Sequence, residues 1–71
     1  MDNYFLESLG SKIKILRKTR RVTQEDLAKQ SEITRTYLTQ IENGKVNPSI
    51  GKIKKISENL NISLCEMFKD I

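Results

Sequence analysis

The chain has 71 residues, of which 37% are hydrophobic, and 13 basic against 9 acidic residues give a formal net charge of +4. We expect one domain, 1–71, with a small core, because a chain of this length buries only about 60% of the surface that its unfolded form exposes. One cysteine and no histidine exclude an internal disulfide and argue against a zinc site. The lone thiol, the acidic start at Asp2 and the absence of an apolar run of about 20 residues predict a cytoplasmic protein.

Five helices are predicted, and since no segment alternates as a strand does, the predicted fold class is all-α. The first helix runs from about Tyr4 to Arg20, and its apolar residues recur every three or four positions: Phe5, Leu9, Ile13 and Leu16. The second helix spans Gln24 to about Gln30, with Thr23 as its N-cap. Its inward-facing residues are Leu27 and Ala28.

A turn at 31–33 leads to the third helix, 35–42, which Thr34 caps. Asn43-Gly44 ends this helix, because glycine directly after a helix is a strong stop signal. Leu38 and Ile41 are its inward-facing residues.

The fourth helix is predicted to begin at Pro48, because proline suits the entry of a helix, and to reach Leu60. One stripe carries its apolar residues: Ile50, Ile53, Ile56 and Leu60. Ser63 and Glu66 form a capping box for a last short helix that ends at Phe68.

Basic residues are concentrated in two places. Six of them, and no acid, lie in the segment 12–21: Lys12, Lys14, Arg17, Lys18, Arg20 and Arg21. A second group, also without an acid, is Lys45, Lys52, Lys54 and Lys55. Clustered cations indicate a polyanionic partner, although a solvated helix face would have the same composition.

The second and third helices are short and only about three residues separate them, which is the shape of a helix-turn-helix at about 23–44. The major groove of B-DNA, about 12 Å wide, accepts a helix that the preceding helix holds away from the protein body. The small side chain of Ala28 would let the two helices approach closely. We therefore predict that 34–43 is a recognition helix.

Three segments, TQEDLA at 23–28, SEITRTYLTQIENG at 31–44 and NPSI at 47–50, resemble the lambda-repressor/Cro-type helix-turn-helix family, also called XRE. The resemblance extends over about residues 9–68. It implies a compact five-helix domain, bacterial or phage-encoded, that binds a pseudo-palindromic operator in double-stranded DNA as a homodimer and regulates transcription. It implies no cofactor, no metal, no membrane and no small-molecule ligand.

Within that family, the run Arg35-Thr36-Tyr37 beside NPS at 47–49 is most similar to the controller proteins of restriction–modification systems. Small prophage repressors share much of this pattern and remain an alternative. An antitoxin-like interaction module is a third hypothesis. An enzyme is not expected, because the sequence has no histidine and its three glycines are dispersed.

The resemblance also implies roles for individual residues. Side chains facing base edges would be Arg35, Thr36, Thr39 and Gln40. Gln24 and Asn43 would bind phosphates from the ends of their helices. Tyr37 and Lys45 are further candidates for phosphate binding, because of their hydroxyl and ammonium groups rather than because of the resemblance. Arg17 would pair with Glu42 and join the first helix to the recognition helix.

Two further expectations concern the turn and the C-terminus. The turn position that is often glycine in the family is Glu32 here, and a non-glycine residue at positive φ costs on the order of 1 kcal/mol. The C-terminal helix 63–70 and the last residue are predicted to form a dimer interface, because their apolar groups are too many for a small core to hide: Leu64, Met67, Phe68 and Ile71. The alternative is that these residues close the core of the monomer.

Overall fold

A computed structural model describes residues 3–71, so the acidic start at Asp2 lies outside the described residues. Within them, five α-helices and no strand confirm the all-α prediction. The helices are α1 (Asn3–Thr19), α2 (Gln24–Gln30), α3 (Arg35–Glu42), α4 (Ile50–Asn59) and α5 (Leu64–Phe68). None of these helices is both long and apolar enough to cross a bilayer.

A hydroxyl side chain starts each helix from α2 to α5. Its oxygen accepts a hydrogen bond from the backbone N–H three residues later, at 3.0 Å for Thr23 and Thr34, 3.3 Å for Ser49 and 3.1 Å for Ser63. Such a cap satisfies one of the unpaired N–H groups of the first turn and is typically worth about 1 kcal/mol. The predicted caps of α2, α3 and α5 are confirmed.

The start of α4 differs from the prediction. Because Ser49 is the N-cap, the helix begins at Ile50, and Pro48 lies before the cap rather than in the first turn. Ile50 is 63% exposed, so its assignment to the apolar stripe was wrong. Ile53, Ile56 and Leu60 form the buried face, and Ile50 lies about a quarter of a turn away from its middle.

Three of the four connections between helices use the same three-residue corner. Its first residue adopts left-handed backbone (φ 58° at Arg21, 59° at Glu32 and 59° at Asn61), which confirms the positive φ expected at Glu32. The second is apolar and packs against the core, and its N–H bonds back to a carbonyl near the end of the helix at 3.0 Å. The third is the N-cap of the next helix. This is the Schellman ending, which satisfies carbonyls that a helix end leaves free. The corners are 21–23, 32–34 and 61–63.

One hydrophobic core lies between the helices. α1 packs on α3 and α5, while α4 packs on α2 and α5. The buried residues of this core come from all five helices or their caps: Leu9, Ile13, Leu27, Ala28, Leu38, Ile41, Ile53, Ile56, Leu60 and Met67. The predicted inward faces of α1, α2 and α3 are thus confirmed, with Phe5 and Leu16 half-buried at the edge.

α1 closely approaches the last turn of α3 at Gly10. A Cβ placed on Gly10 would lie 2.2 Å from the carbonyl oxygen of Ile41 and 2.7 Å from that of Glu42. Only a residue without a side chain fits this crossing. The recognition helix is therefore set close against α1 as well as against α2.

The C-terminal residues only partly match the predicted interface. Met67 is completely buried in the core of this chain, so its assignment to a dimer interface was wrong. The reason is that α5 crosses both α1 and α4 and turns Met67 between them. Leu64, Phe68 and Ile71 are half-buried, and the ring of Phe68 stacks on that of Phe5 at a centroid distance of 6.3 Å.

Candidate nucleic-acid interface

The outer face of α3 is polar and uncovered. Arg35, Thr36 and Gln40 are exposed and Thr39 is half-buried, whereas the opposite side of the same helix, at Leu38 and Ile41, is buried. The spacing follows from 3.6 residues per turn, which puts positions 35, 36, 39 and 40 on one side. The structure therefore brings the four predicted base-reading residues together on one surface; their roles remain predictions.

An ion pair joins the end of α3 to α1, as the family resemblance implied, and the structure shows that the pair is buried. Nε of Arg17 donates to Oε2 of Glu42 at 2.7 Å, and Nη2 donates to Oε1 at 3.2 Å. The side chains are only 9% and 1% exposed. Nη1 of Arg17 also donates to the carbonyl of Val22 at 3.0 Å. The pair therefore joins α1, the first corner and the recognition helix, and its two-point geometry is the strong form of this interaction.

Gln24, predicted to hold a phosphate, also has a structural contact. Its Nε2 donates to Oε1 of Glu42 at 3.0 Å, and its Oε1 accepts from Oγ1 of Thr39 at 3.4 Å. Nε of Arg35 lies 3.5 Å from the same Gln24 oxygen. One amide proton of Gln24 is left for a ligand, since a primary amide has two. We call this side of α3, next to α2, the α2 flank.

The other side of α3, which we call the α4 flank, carries Tyr37. Its ring is half-buried, and Nζ of Lys52 in α4 lies 5.9 Å from the ring centroid, within the range of a cation–π contact. A shallow hollow of about 430 Å³ opens here, lined by Glu32, Ile33, Thr34, Tyr37 and Lys52. The predicted phosphate contact Tyr37 therefore lies beside a lysine, on the side of α3 away from Gln24.

An exposed ion pair ties the turn of the helix-turn-helix to α4. Lys55 donates to the carboxylate of Glu32, and this hydrogen bond and the charge of Lys55 lower the pKa of Glu32, with a smaller contribution from Lys52. Asn59 also donates to Oγ of Ser31 at 3.2 Å. Ser31 and Glu32, at the start of the turn between α2 and α3, therefore both contact α4.

The C-terminal end of α3 is closed by Gly44, whose φ is +68°. The N–H of Lys45 bonds back to the carbonyl of Gln40 at 2.9 Å, and that of Gly44 to Ile41 at 3.1 Å. The side chains of Asn43 and Lys45 are exposed at this end. Both predicted phosphate contacts are therefore accessible, at the end of the helix that was expected.

Sequence reasoning missed several contacts of the recognition helix and its supports, among them the close crossing at Gly10 and the link from Gln24 to Glu42. Gly10 carried a signal, because a glycine inside a helical pattern costs about 1 kcal/mol relative to alanine and usually has a packing reason. The link from Gln24 to Glu42 carried none, since it joins residues 18 positions apart through side-chain geometry. Among residues 3–71, no group of three His, Cys, Asp or Glu side chains could hold a metal ion.

The comparison with known families decides the relationship. Residues 13–67, most of the chain, match the model of the helix-turn-helix family HTH_3. The chain belongs to this family. The match spans the recognition helix and its supports from Ile13 of α1 to Met67 of α5.

Within the helix-turn-helix family, control protein C.MunI of Mycoplasma sp is 48% identical over 63 residues, which are 87% of this chain and 85% of that protein. The immunity repressor protein of Bacillus phage phi105 is 35% identical over 57 residues, 80% of this chain but only 40% of the repressor. Among solved structures, the restriction–modification controller protein C.Esp1396I, as a tetramer with its natural 35-base-pair operator, has a TM-score of 0.84 and 33% identity over 93% of this chain and 87% of that one.

Proposed function

We propose that this helix-turn-helix protein is a transcription regulator that binds a pseudo-palindromic operator in double-stranded DNA as a homodimer, with α3 in the major groove. The observation that carries the proposal is the open polar face of α3, which Arg35, Thr36, Thr39 and Gln40 share while the opposite face is buried. A helix presented in this way can reach base edges without unpacking the protein.

The regulatory role that we favour is that of a restriction–modification controller. The identity to control protein C.MunI, 48%, exceeds that to the phage immunity repressor, 35%. Residues 1–71 would act as a single DNA-binding domain in the cytoplasm, without catalysis of their own, and a homodimer would match the two-fold symmetry of the operator.

The homodimer would use the part of the C-terminal segment that the core leaves uncovered. Leu64, Phe68 and Ile71 are half-buried, so part of each apolar side chain remains available to a second copy. Met67 is not included, because it is already buried. Bases would be read by the four residues on the outer face of α3, and phosphates would be bound by Gln24, Tyr37, Asn43 and Lys45.

A selection from a library of random duplexes tests this function directly. The protein should enrich a sequence with two related half-sites whose centres lie about one helical turn, about 34–36 Å, apart. Sedimentation of the selected duplex with protein should give an even number of chains for each duplex. Recovery of unrelated sequences, or binding of a single chain to one unrepeated site, would rule the proposal out.

Removal of Arg35 tests the recognition helix. Arg35→Ala should cost about 1–3 kcal/mol on the selected duplex, because an arginine can make two hydrogen bonds to guanine. Lys14→Ala is the matched control, since Lys14 is an exposed cation on α1. Equal affinities of the parent and Arg35→Ala in gel-shift titrations at fixed salt would show that Arg35 does not read a base.

A further inference from the structure

The α4 flank of the recognition helix contains a lysine that forms no ion pair in the described part of the chain, although its charge still acts on Glu32, the carboxylate that Lys55 binds. Among the ion pairs within residues 3–71, Lys55 is bound to Glu32, whereas Lys52 is in none. Lys52 is exposed, and its ammonium group lies 5.9 Å from the centre of the Tyr37 ring. The contact with the ring holds the ammonium group beside α3 and leaves its three N–H donors unshared with any carboxylate.

The three lysines of α4 are not equivalent. Helical spacing puts Lys52 and Lys55 on the side that faces the helix-turn-helix, where one contacts Tyr37 and the other Glu32. Lys54 is exposed on a different side of α4, about 160° round the helix from Lys52. Only Lys52 therefore combines a place beside the recognition helix with an unpaired charge.

A helix in the major groove has a phosphate backbone on each side, because the groove is bounded by the two strands. Gln24 provides a polar group on the α2 flank of α3, next to Arg35 and Thr39. The α4 flank faces the other strand when the outer face of α3 enters the groove. Its hollow, beside Tyr37 and the N-cap Thr34, has Lys52 at its edge.

We propose that Lys52, held against the ring of Tyr37, binds a phosphate of the strand that borders the α4 flank. The two flanks then clamp α3 between the strands, with Gln24 on one backbone and Lys52 on the other. This inference rests on the proposed function, since it names a phosphate contact for the same DNA-binding surface. The contact carries no sequence information, but it fixes the depth and tilt of α3 in the groove.

The salt dependence of binding tests this contact. Each phosphate neutralised by a lysine contributes about 0.9 to the slope of log affinity against log salt. Lys52→Met removes the charge and keeps a long side chain, and it should reduce the steepness of this slope by about 0.9. When KCl is raised from 50 to 200 mM, the loss of affinity should then be about threefold smaller for the variant than for the parent. Lys54→Met is the matched control and should leave the slope unchanged. The ligand is the duplex that the parent selects.

Three outcomes would overturn the inference. If the parent selects a duplex but Lys52→Met keeps its slope, or if Lys54→Met reduces the slope as much, Lys52 is not the phosphate contact and the proposed function still holds. If the parent selects no duplex, the proposed function fails and the inference fails with it. Lys52→Gln, with a circular dichroism spectrum equal to that of the parent, repeats the measurement in a second folded background.

Discussion

Replacement of Glu42 by glutamine should destabilise the protein by about 3–5 kcal/mol. The substitution keeps the shape of the side chain but leaves the Arg17 guanidinium, 9% exposed, without its counter-charge. Breaking one partner of a buried pair is costly because the remaining charge stays desolvated. A loss of this size is a large part of the roughly 5–15 kcal/mol that holds a small domain folded. Urea denaturation followed by circular dichroism measures it.

The double variant Arg17→Met with Glu42→Leu is the control for this prediction. Replacing both charges by apolar side chains leaves no buried charge unpaired, so most of the lost stability should return. A double variant as unstable as Glu42→Gln alone would show that the contacts of Arg17 to Val22, or of Glu42 to Gln24, matter more than the charge pair. A Glu42→Gln protein as stable as the parent would contradict the prediction outright.

Gly10→Ala should also destabilise the protein, by about 3 kcal/mol or more. The new methyl group would have to sit within 2.7 Å of two backbone oxygens at the end of α3. Backbone atoms cannot move aside as the end of a flexible side chain can, so α1 and α3 must separate. Overpacking of a well-packed core usually costs about 1–3 kcal/mol, and a clash with backbone belongs at or above the top of that range.

Gly51→Ala is the matched control, because this glycine lies in α4 with open space around it. A Cβ there would meet only Oγ of Ser49, at 3.9 Å. Since alanine favours a helix over glycine, this variant should be more stable than the parent by about 0.5–1 kcal/mol. The same urea titration compares both variants. Equal stabilities for Gly10→Ala and Gly51→Ala would mean that the close crossing of α1 and α3 does not constrain the fold.

Most of the fold could be predicted because its signals are local. The hydroxyl caps Thr23, Thr34 and Ser63 and the stop at Gly44 act within one turn of their own helix, so the sequence alone locates α2, α3 and α5. Pro48 was misleading, since proline is favourable both in the first turn and just outside it. The cap that decided the start of α4 was its neighbour Ser49.

The site was predicted from the resemblance to the lambda-repressor/Cro-type family, which implied the roles of the residues on α3 and the pair of Arg17 with Glu42. Helical spacing agrees with the first of these, because positions 35, 36, 39 and 40 share a face in any regular helix. The identity of the lysine beside Tyr37 could not be predicted, because it depends on how α4 crosses α3. Met67 was misassigned because an apolar residue in a short last helix suits a core and an interface equally well, and the packing of that helix decides between them.

The three corners share one backbone conformation, so the turn between α2 and α3 is not by itself a DNA-binding feature. The chain bends in the same way at 21–23, 32–34 and 61–63, through a left-handed residue and the same backbone hydrogen bond. Only the corner 32–34 precedes the recognition helix. What distinguishes α3 is its outer face, on which Arg35, Thr36 and Gln40 stay exposed within the described part of the chain. The proposed reading of DNA thus depends on a surface that residues 3–71 leave exposed.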